Sequence, residues 1–218
     1  MRYYNYLNED KITSLVDLIK DKCKPFLKDW NGINFLYRGM KQGFDYKVLP
    51  VRTDRKPKDM PIDLHNMFDN AFQSKFGWKA RSNSVFCTGD KIATEEYGNC
   101  FVIFPIGNYQ FISSPNIEDL YFYFTKTEVL YSTLFIKHFG KEVGYDYSAV
   151  DEFYNENKND KQIMKKFNNY VVDLVKTYDN KNINRMIMKG NEIMINCKEY
   201  IAFHDLTYDY YNIREYLL

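Results

Sequence analysis

Apolar residues recur at helical spacing in two long parts of the chain. The first stripe predicts a helix over about 9–29, with Pro25 kinking or shortening its end. Its members are Ile12, Leu15, Val16, Ile19, Cys23 and Phe26. The second predicts a helix over about 61–76, because a proline suits its first turn and Gly77 ends the pattern. Residues 113–183 are predicted to be mostly helical.

Shorter apolar runs between Gly, Pro and Asn residues predict strands. They lie at about 33–37, 82–88, 101–104, 109–112 and 184–189, and a short helix is predicted at about 91–97. Residues 190–203 predict a β-hairpin, because a polar turn joins two apolar runs. The stretch 41–60 is basic and rich in proline, which predicts an irregular loop.

The order of these elements favours an α+β fold with a mixed sheet. Intervals between strands vary, and no glycine-rich dinucleotide fingerprint is present, so a doubly wound parallel sheet is disfavoured. We predict a single domain over residues 1–218, with an N-terminal helix and a mostly helical insertion at about 113–183.

The net charge and the distribution of apolar residues limit which classes of binding partner are expected. The 218 residues carry 30 basic and 29 acidic side chains, and a net charge of +1 gives no global attraction to nucleic acid or anionic membranes. No stretch approaches the roughly 18 apolar residues of a membrane span, and the first residues lack the apolar core of a signal peptide. We therefore expect a cytoplasmic protein with no membrane partner.

Cysteine spacing and aromatic content add two expectations. The four cysteines are widely separated and only three histidines are present, so we expect reduced thiols and no metal site. Twenty Tyr and 17 Phe, with abundant Lys and Asn, are typical of an AT-rich genome. This composition suits a phage or mobile element, in which case the protein would act in the cytoplasm of the host cell.

Arg, Ser and Glu side chains that can bind a ligand or stabilise a transition state lie at the edges of predicted strands. Arg38 offers a planar fork that suits a diphosphate. Ser82 and Ser84 can orient a carboxylate or a ribose hydroxyl by hydrogen bonding. Glu192 can stabilise positive charge that develops at an anomeric carbon. Together these groups suit the breaking of an N-glycosidic bond in a molecule with a pyrophosphate, of which NAD is the commonest.

Four short motifs resemble those of mono-ADP-ribosyltransferases of the Arg-Ser-Glu, toxin-like type. Phe35-Leu36-Tyr37-Arg38-Gly39 resembles the strand with the family's arginine, and Ser82-Asn83-Ser84 resembles its serine-x-serine strand, with Asn83 where threonine is usual. Phe101 to Gly107 is similar to an apolar strand closed by Pro-x-Gly. Gly190 to Ile195, with Tyr200 in the returning strand, resembles the strand of the catalytic glutamate. The resemblance covers about 30–110 and 184–204.

The resemblance implies a split β-sandwich that binds NAD as a substrate without a metal. Arg38 would grip the phosphates, Ser82 would hold Glu192, and Glu192 would bind the nicotinamide ribose and stabilise the oxocarbenium-like transition state. Nicotinamide would leave and an acceptor, or water, would attack. The NAD-binding residues implied are Arg38, Gly39, Ser82, Ser84 and Tyr97, and the catalytic residues are Glu192, Ser82 and Arg38.

One departure concerns the acceptor. Arginine-modifying members have Glu or Gln two residues before the catalytic glutamate, where this chain has Gly190. Arginine is therefore not the expected acceptor; we expect an unidentified macromolecule, more readily a protein than a nucleic acid, and plain NAD hydrolysis stays open.

Several alternatives stay open beside this hypothesis. Thr88 can replace the serines, Glu199 competes with Glu192, and Tyr97 either stacks on a base or packs at a helix end. Arg52 and Arg55 either bind phosphate or form a solvated loop, whereas His65 is expected to be structural. The alternative function is a non-enzymatic module, on the same or another α+β scaffold, that binds a protein partner.

Overall fold

The chain folds as two compact units that alternate along the sequence. The computed structural model describes residues 9–57, 60–140, 147–205 and 213–218. The sheet unit comprises residues up to 53 together with 84–113 and 180–218, and the helical unit comprises 54–83 and 114–179. Since all seven described strands lie in the sheet unit, the predicted α+β class is confirmed.

Seven strands form one sheet in the order β2-β7-β4-β1-β3-β6-β5. Their bounds are β1 (Leu36–Met40), β2 (Tyr46–Pro50), β3 (Val85–Thr88), β4 (Asn99–Ile106), β5 (Gln110–Ser113), β6 (Glu192–Asn196) and β7 (Glu199–His204). Among the described residues all six neighbouring pairs are antiparallel, so the prediction of a mixed sheet is wrong.

The predicted hairpin at 190–203 is also wrong, although both of its strands exist. β6 pairs with β3 and β5, whereas β7 pairs with β4 and β2. In a flat sheet these two strands would lie four strand spacings, about 19 Å, apart. The link from Asn196 to Glu199 spans at most about 11 Å, at 3.8 Å per residue. The sheet must therefore bend back on itself.

The bend falls between β1 and β3. One register pair, Tyr37 with Thr88, joins these strands, whereas the other neighbours share between four and six pairs. The sheet thus has two layers, β2-β7-β4-β1 and β3-β6-β5. Apolar side chains from both layers belong to one buried cluster, including Val85, Cys87, Ile193, Ile195, Leu36, Ile103 and Ala202.

Two N-terminal helices cover the outer face of the first layer. The helix predicted at 9–29 is broken at Cys23 into α1 (Glu9–Lys22) and α2 (Lys24–Asp29), because Pro25 stands in the first turn of α2. The rings of Phe26 and Trp30 contact Phe104 of β4 edge-on, with centroids 5.6 Å apart in each pair. This packing buries the apolar stripe that the sequence pattern indicated.

The strand predicted at 184–189 is a helix, α8 (Ile183–Lys189). The side chain of Asn182 accepts a hydrogen bond from the backbone N–H of Arg185 and caps its start. Gly190 ends it in the left-handed conformation at φ 73°. Ile183, Met186 and Ile187 are buried at helical spacing. The caps and this spacing outweigh the short apolar run, with Ile187 and Met188, on which the strand prediction depended.

Four other elements differ from the predictions. The loop at 41–60 contains β2, an edge strand that pairs with β7 and whose largely exposed residues carry no apolar period. β1 begins at Leu36 rather than 33, because Gly32 turns at φ 72° and Ile33 is exposed. Because β1 extends to Met40, Arg38 lies inside its strand. β3 begins at Val85, so Ser82 and Asn83 precede it instead of belonging to it. Residues 92–97 form a 3-10 helix.

The helical unit has an aromatic core. It contains α3 (Ile62–Phe76), α4 (Leu120–Thr125), α5 (Thr133–Phe139), α6 (Val150–Asn157) and α7 (Lys161–Val175). The predictions of a helix at 61–76 and of a helical segment after 113 are confirmed. Lys75 Nζ donates to the carbonyls of Val175, Lys176 and Tyr178, at and just beyond the C-terminal end of α7. Within the described ranges, no helix is long and apolar enough to cross a membrane.

Candidate functional site

Three segments with predicted site residues lie on adjacent strands of the sheet unit. Arg38 is in the middle of β1, β3 follows the serine motif, and Glu192 begins β6. The register pairs Tyr37 with Thr88 and Thr88 with Glu192. Two strand spacings, about 10 Å, therefore separate the backbones beside Arg38 and Glu192, although the two residues are 154 positions apart in sequence.

The backbone around Glu192 is held from both neighbouring strands. Ser113 Oγ on β5 donates to the carbonyl of Glu192 at 2.7 Å. Thr88 Oγ1 on β3 donates to the carbonyl of Gly190 at 2.5 Å and accepts from the Asp90 N–H at 3.0 Å. Glu192 itself is half-buried. A carboxylate on a strand fixed in this way is presented in a constant direction.

Arg38 projects from the opposite face of the sheet. Side chains directly opposite in an antiparallel register share a face, so Tyr37, Thr88 and Glu192 lie on one face and Arg38 on the other. Arg38 Nη1 donates to the carbonyl of Phe86 at 2.8 Å. Its Nε is buried and has no hydrogen-bond partner in the described part of the chain. The structure brings the strands of Arg38 and Glu192 together but does not point their side chains to the same face.

The surroundings of Arg38 place its charge between the two layers. Burial raises the pKa of Cys87 to about 12, and the positive charge of Arg38 acts in the opposite direction. Burial likewise raises the pKa of Tyr200 on β7, and the positive charge of Arg38 again acts in the opposite direction. A guanidinium that acts on residues of both layers lies where the sheet bends.

Gly39 and Tyr97, both predicted to bind NAD, are close to each other. A Cβ at Gly39 would overlap the carbonyl oxygen of Thr94 and lie 2.7 Å from the Cβ of Tyr97. Gly39 thus permits β1 to approach the 3-10 helix at 92–97 closely. The side chain of Tyr97 is 60% exposed, so its ring is accessible and is not buried by helix-end packing.

Ser82 belongs to the helical unit, in the turn before β3. Its Oγ donates to Asp69 Oδ2 and lies 3.0 Å from His65 Nε2. His65 and Asp69 are 3% and 2% exposed, and both belong to α3. Ser84 belongs to the sheet unit, where it is buried directly before β3. That Ser82 holds Glu192 stays a prediction, and the hydroxyl opposite Glu192 on β3 is that of Thr88.

Asp69 is a residue that the sequence pattern did not single out. Burial raises its pKa, but hydrogen bonds from His65, Ser82 and the backbone N–H of Arg81 outweigh burial and bring the pKa below its ordinary value. Asp69 is therefore ionised at neutral pH. The signal in the sequence was a pair of polar residues four apart on the otherwise apolar face of α3, at positions 65 and 69.

The thiols offer no nucleophile. Burial raises the pKa of Cys23, Cys87 and Cys197 to about 12 and that of Cys100 to about 11, so all four stay protonated at neutral pH. Residues that the structure describes contain no group of three or more His, Cys, Asp and Glu side chains arranged to hold a metal ion. His138, for which the sequence suggested no partner, lies 2.9 Å from Asp173 and ties α5 to α7.

A shallow cavity of about 440 Å³ lies on α8. Its lining consists of Asn182, Asn184, Arg185, Met188 and Lys189. None of these residues belongs to the predicted NAD site. The cavity is therefore described apart from the chemistry of Glu192.

Comparisons with protein-family models, with curated proteins and with solved structures found no match to this chain.

Proposed function

We propose that the protein is an NAD-dependent mono-ADP-ribosyltransferase. The observation that carries the proposal is the adjacency of β1, β3 and β6, which gathers the arginine strand, the strand after the serine motif and the glutamate strand. The motif resemblance names the same three segments. Glu192, with its backbone fixed by Ser113 and Thr88, is the candidate catalytic carboxylate.

The proposed reaction breaks the bond between C1′ of the nicotinamide ribose and the nicotinamide nitrogen. The bonding electrons leave with nicotinamide, which becomes neutral, and positive charge develops on the ribose. The carboxylate of Glu192 stabilises that charge. A nucleophile then bonds to C1′ and loses its proton; with water as the nucleophile, the reaction is NAD hydrolysis.

Arg38 is the proposed phosphate-binding residue. Its buried Nε has no partner in the described ranges, and a phosphate oxygen would satisfy that donor. Because one register pair joins β1 and β3, the proposed cleft lies at this bend of the sheet. The bend also supports the finer fold proposal, a split β-sandwich of the ADP-ribosyltransferase type.

The proposed acceptor is a protein group other than arginine. Gly190 stands two residues before Glu192 and ends α8 at φ 73°, a conformation that L side chains rarely adopt. No carboxylate or amide is therefore available at the position that arginine-modifying members use. A net charge of +1 gives no general attraction to nucleic acid. The proposed reaction takes place in the cytoplasm, of the host cell if the chain is phage-encoded.

Nicotinamide release from labelled NAD, with and without cell lysate, tests the proposal. We expect Glu192→Gln to lower the rate at least about 100-fold, the loss typical of a missing charged catalytic group. Glu199→Gln is the matched control, since Glu199 begins the neighbouring segment β7, and it should retain activity. A wild-type protein that neither releases nicotinamide nor labels lysate refutes the enzyme, and an active Glu192→Gln variant refutes the site.

Arg38→Lys provides the second arm of this test. Lysine keeps the charge but loses the planar fork, so we expect KM for NAD to rise about tenfold or more while kcat changes less. A loss of kcat of about tenfold with an unchanged KM for NAD would contradict phosphate binding by Arg38.

A non-enzymatic protein-binding module is the second candidate. Arg38 faces away from Glu192 and already donates to a backbone carbonyl, which favours a structural arginine. This candidate predicts a folded protein that binds no NAD. It is therefore separated from the enzyme by the same nicotinamide measurement.

A further inference from the structure

Helix α8 has an outer face that the packing of the sheet unit leaves exposed. The cavity of about 440 Å³ lies on this face, and Arg185, Met188 and Lys189 contribute its long side chains. Met188 is 70% exposed, although the neighbouring Met186 and Ile187 are buried. One exposed apolar residue is ordinary on a protein surface, so its surroundings decide whether it belongs to a binding site.

Further exposed apolar side chains lie beside the same helix. Asn184 Oδ1 accepts a hydrogen bond from the backbone N–H of Asn31 at 3.0 Å, which ties the first turn of α8 to the turn that follows α2. Met188 lies one helical turn after Asn184, on the same side of α8. The turn after α2 presents Ile33, and the side chain of Leu218 packs against its glycine; both side chains are more than half exposed. Met188 is therefore part of an apolar patch.

Arg185 and Lys189 make the border of this patch positive. Side chains four residues apart on a helix are neighbours, so these two like charges repel each other. Neither side chain has an ion pair or a hydrogen bond with any residue that the structure describes. The helix dipole favours Lys189 in the last turn, but it does not remove the repulsion from Arg185. Bound carboxylates would relieve that repulsion.

We propose that these five exposed residues, the α8 face, bind an acidic amphipathic segment of a partner protein. Carboxylates of the segment pair with Arg185 and Lys189, and its apolar side chains cover Met188 and Ile33. A protein segment fits better than a nucleic acid, because the cavity lining has two cations and no aromatic ring on which a base could stack. The binding involves no NAD chemistry and is independent of the proposed function.

Charge reversal on α8 tests the proposal. The probe is a fluorescein-labelled amphipathic peptide of Glu, Leu and Ala, and we expect fluorescence anisotropy to give a Kd below about 100 µM. Arg185→Glu/Lys189→Glu should raise this Kd at least about tenfold, because attraction becomes repulsion. Lys20→Glu/Lys47→Glu is the matched control, with the same change of net charge at exposed positions outside the α8 face. An equal loss of affinity in both double variants overturns the proposal.

Other probes and one apolar substitution identify what the α8 face recognises. A peptide with Lys in place of each Glu should bind at least about tenfold more weakly, and a short RNA of equal charge should not displace the acidic peptide. Met188→Gln keeps the length of the side chain but removes its apolar end, so we expect Kd to rise about 3- to 10-fold. Equal affinity for the Lys peptide, displacement by the RNA, or unchanged affinity of Met188→Gln contradicts the proposal.

Methyl NMR of the wild-type protein locates the bound peptide without any charge variant. The chain has eight methionines, and the spectrum of Met188→Gln identifies the Met188 signal. We expect this signal to move during titration with the acidic peptide, while the signals of the buried Met186 and Met194 do not. A shift confined to other methionines, or no binding at about 1 mM peptide, overturns the proposal. Either result leaves the proposed reaction at Glu192 unaffected.

Discussion

Hydroxyl protons limit which single residues can assist Glu192. Thr88 and Ser113 donate to the carbonyls of Gly190 and Glu192, and Ser82 donates to Asp69. Each of these hydroxyls has one proton, which is already committed. The two strand hydroxyls consequently fix the backbone that carries the carboxylate and do not bond the carboxylate itself.

Asp69 makes the helical unit sensitive to acid. Its folded-state pKa is below the unfolded value of about 4, so its stabilising effect is fully present above that pH and is lost as pH falls through the folded-state pKa. We expect Asp69→Asn to lower the free energy of unfolding by about 1 to 3 kcal/mol at pH 7 and by less at pH 3. Urea unfolding at both values measures this. A difference between wild type and variant that does not shrink in acid would contradict it.

The buried thiols have the opposite dependence. Burial raises the pKa of Cys23, Cys87 and Cys197 to about 12 in the folded protein, whereas unfolded thiols have a pKa of about 8.5 to 9. Their contribution is therefore fully present below about pH 8.5 and is lost as pH rises through about 12. We expect the free energy of unfolding to fall between pH 8 and pH 10.5 in reducing buffer.

Thiol modification provides the control for this prediction. Native protein at pH 8 should react slowly with a thiol reagent, and urea-unfolded protein should react quickly at all four positions. Rapid reaction of three or more thiols in the native state would show that they are not buried as described.

At the scale of elements, the long patterns predicted structure, whereas the short ones succeeded for some elements and failed for α8. The 15-residue helix α3 followed from apolar spacing that repeats over several turns, and the strand β4 followed from a continuous apolar run at 101–104. α8 has seven residues, too few to separate a helical period from an apolar strand. Asn182 and Gly190, which cap the two ends of α8, are the sequence features that indicate a helix here.

Gly89 sets the distance between β3 and α8. A Cβ at Gly89 would overlap the backbone carbonyl of Ile187, and a backbone atom cannot turn aside as a side chain can. We expect Gly89→Ala to lower the free energy of unfolding by about 1 to 3 kcal/mol or more, the cost of overpacking. Thermal or urea unfolding measures it.

Gly43→Ala is the matched control for Gly89→Ala. No atom lies within 4 Å of a Cβ at Gly43, and its φ is not positive. We expect this variant to be neutral or slightly stabilised, because alanine reduces the freedom of the unfolded chain. A loss of stability equal to that of Gly89→Ala would contradict the steric argument.

At the scale of the whole molecule, strand partners could not be predicted from sequence. Apolar runs showed that β6 and β7 exist, but a two-residue link between strands is equally typical of a hairpin. The geometry of the candidate site could not be predicted from sequence either. Arg38 and Glu192 were identified by residue type and motif, whereas the face on which each side chain lies depends on register with Thr88 and Tyr37. The hydrogen-bond partners of Ser82 depend on the packing of α3, which the Ser82-Asn83-Ser84 motif does not predict.

The order of strands also determines when the sheet can form during translation. Within the described part of the chain β2 pairs with β7 alone and β5 with β6 alone, while β1 pairs with both β4 and β3. A nascent chain that has not yet reached Glu192 can therefore form a three-stranded ribbon, with β2 and β5 unpaired and the edges of β3 and β4 open. Both layers are completed together, once residues 192–204 have been translated. Until then the ribosome-bound chain exposes the strand edges on which chaperones and aggregation act.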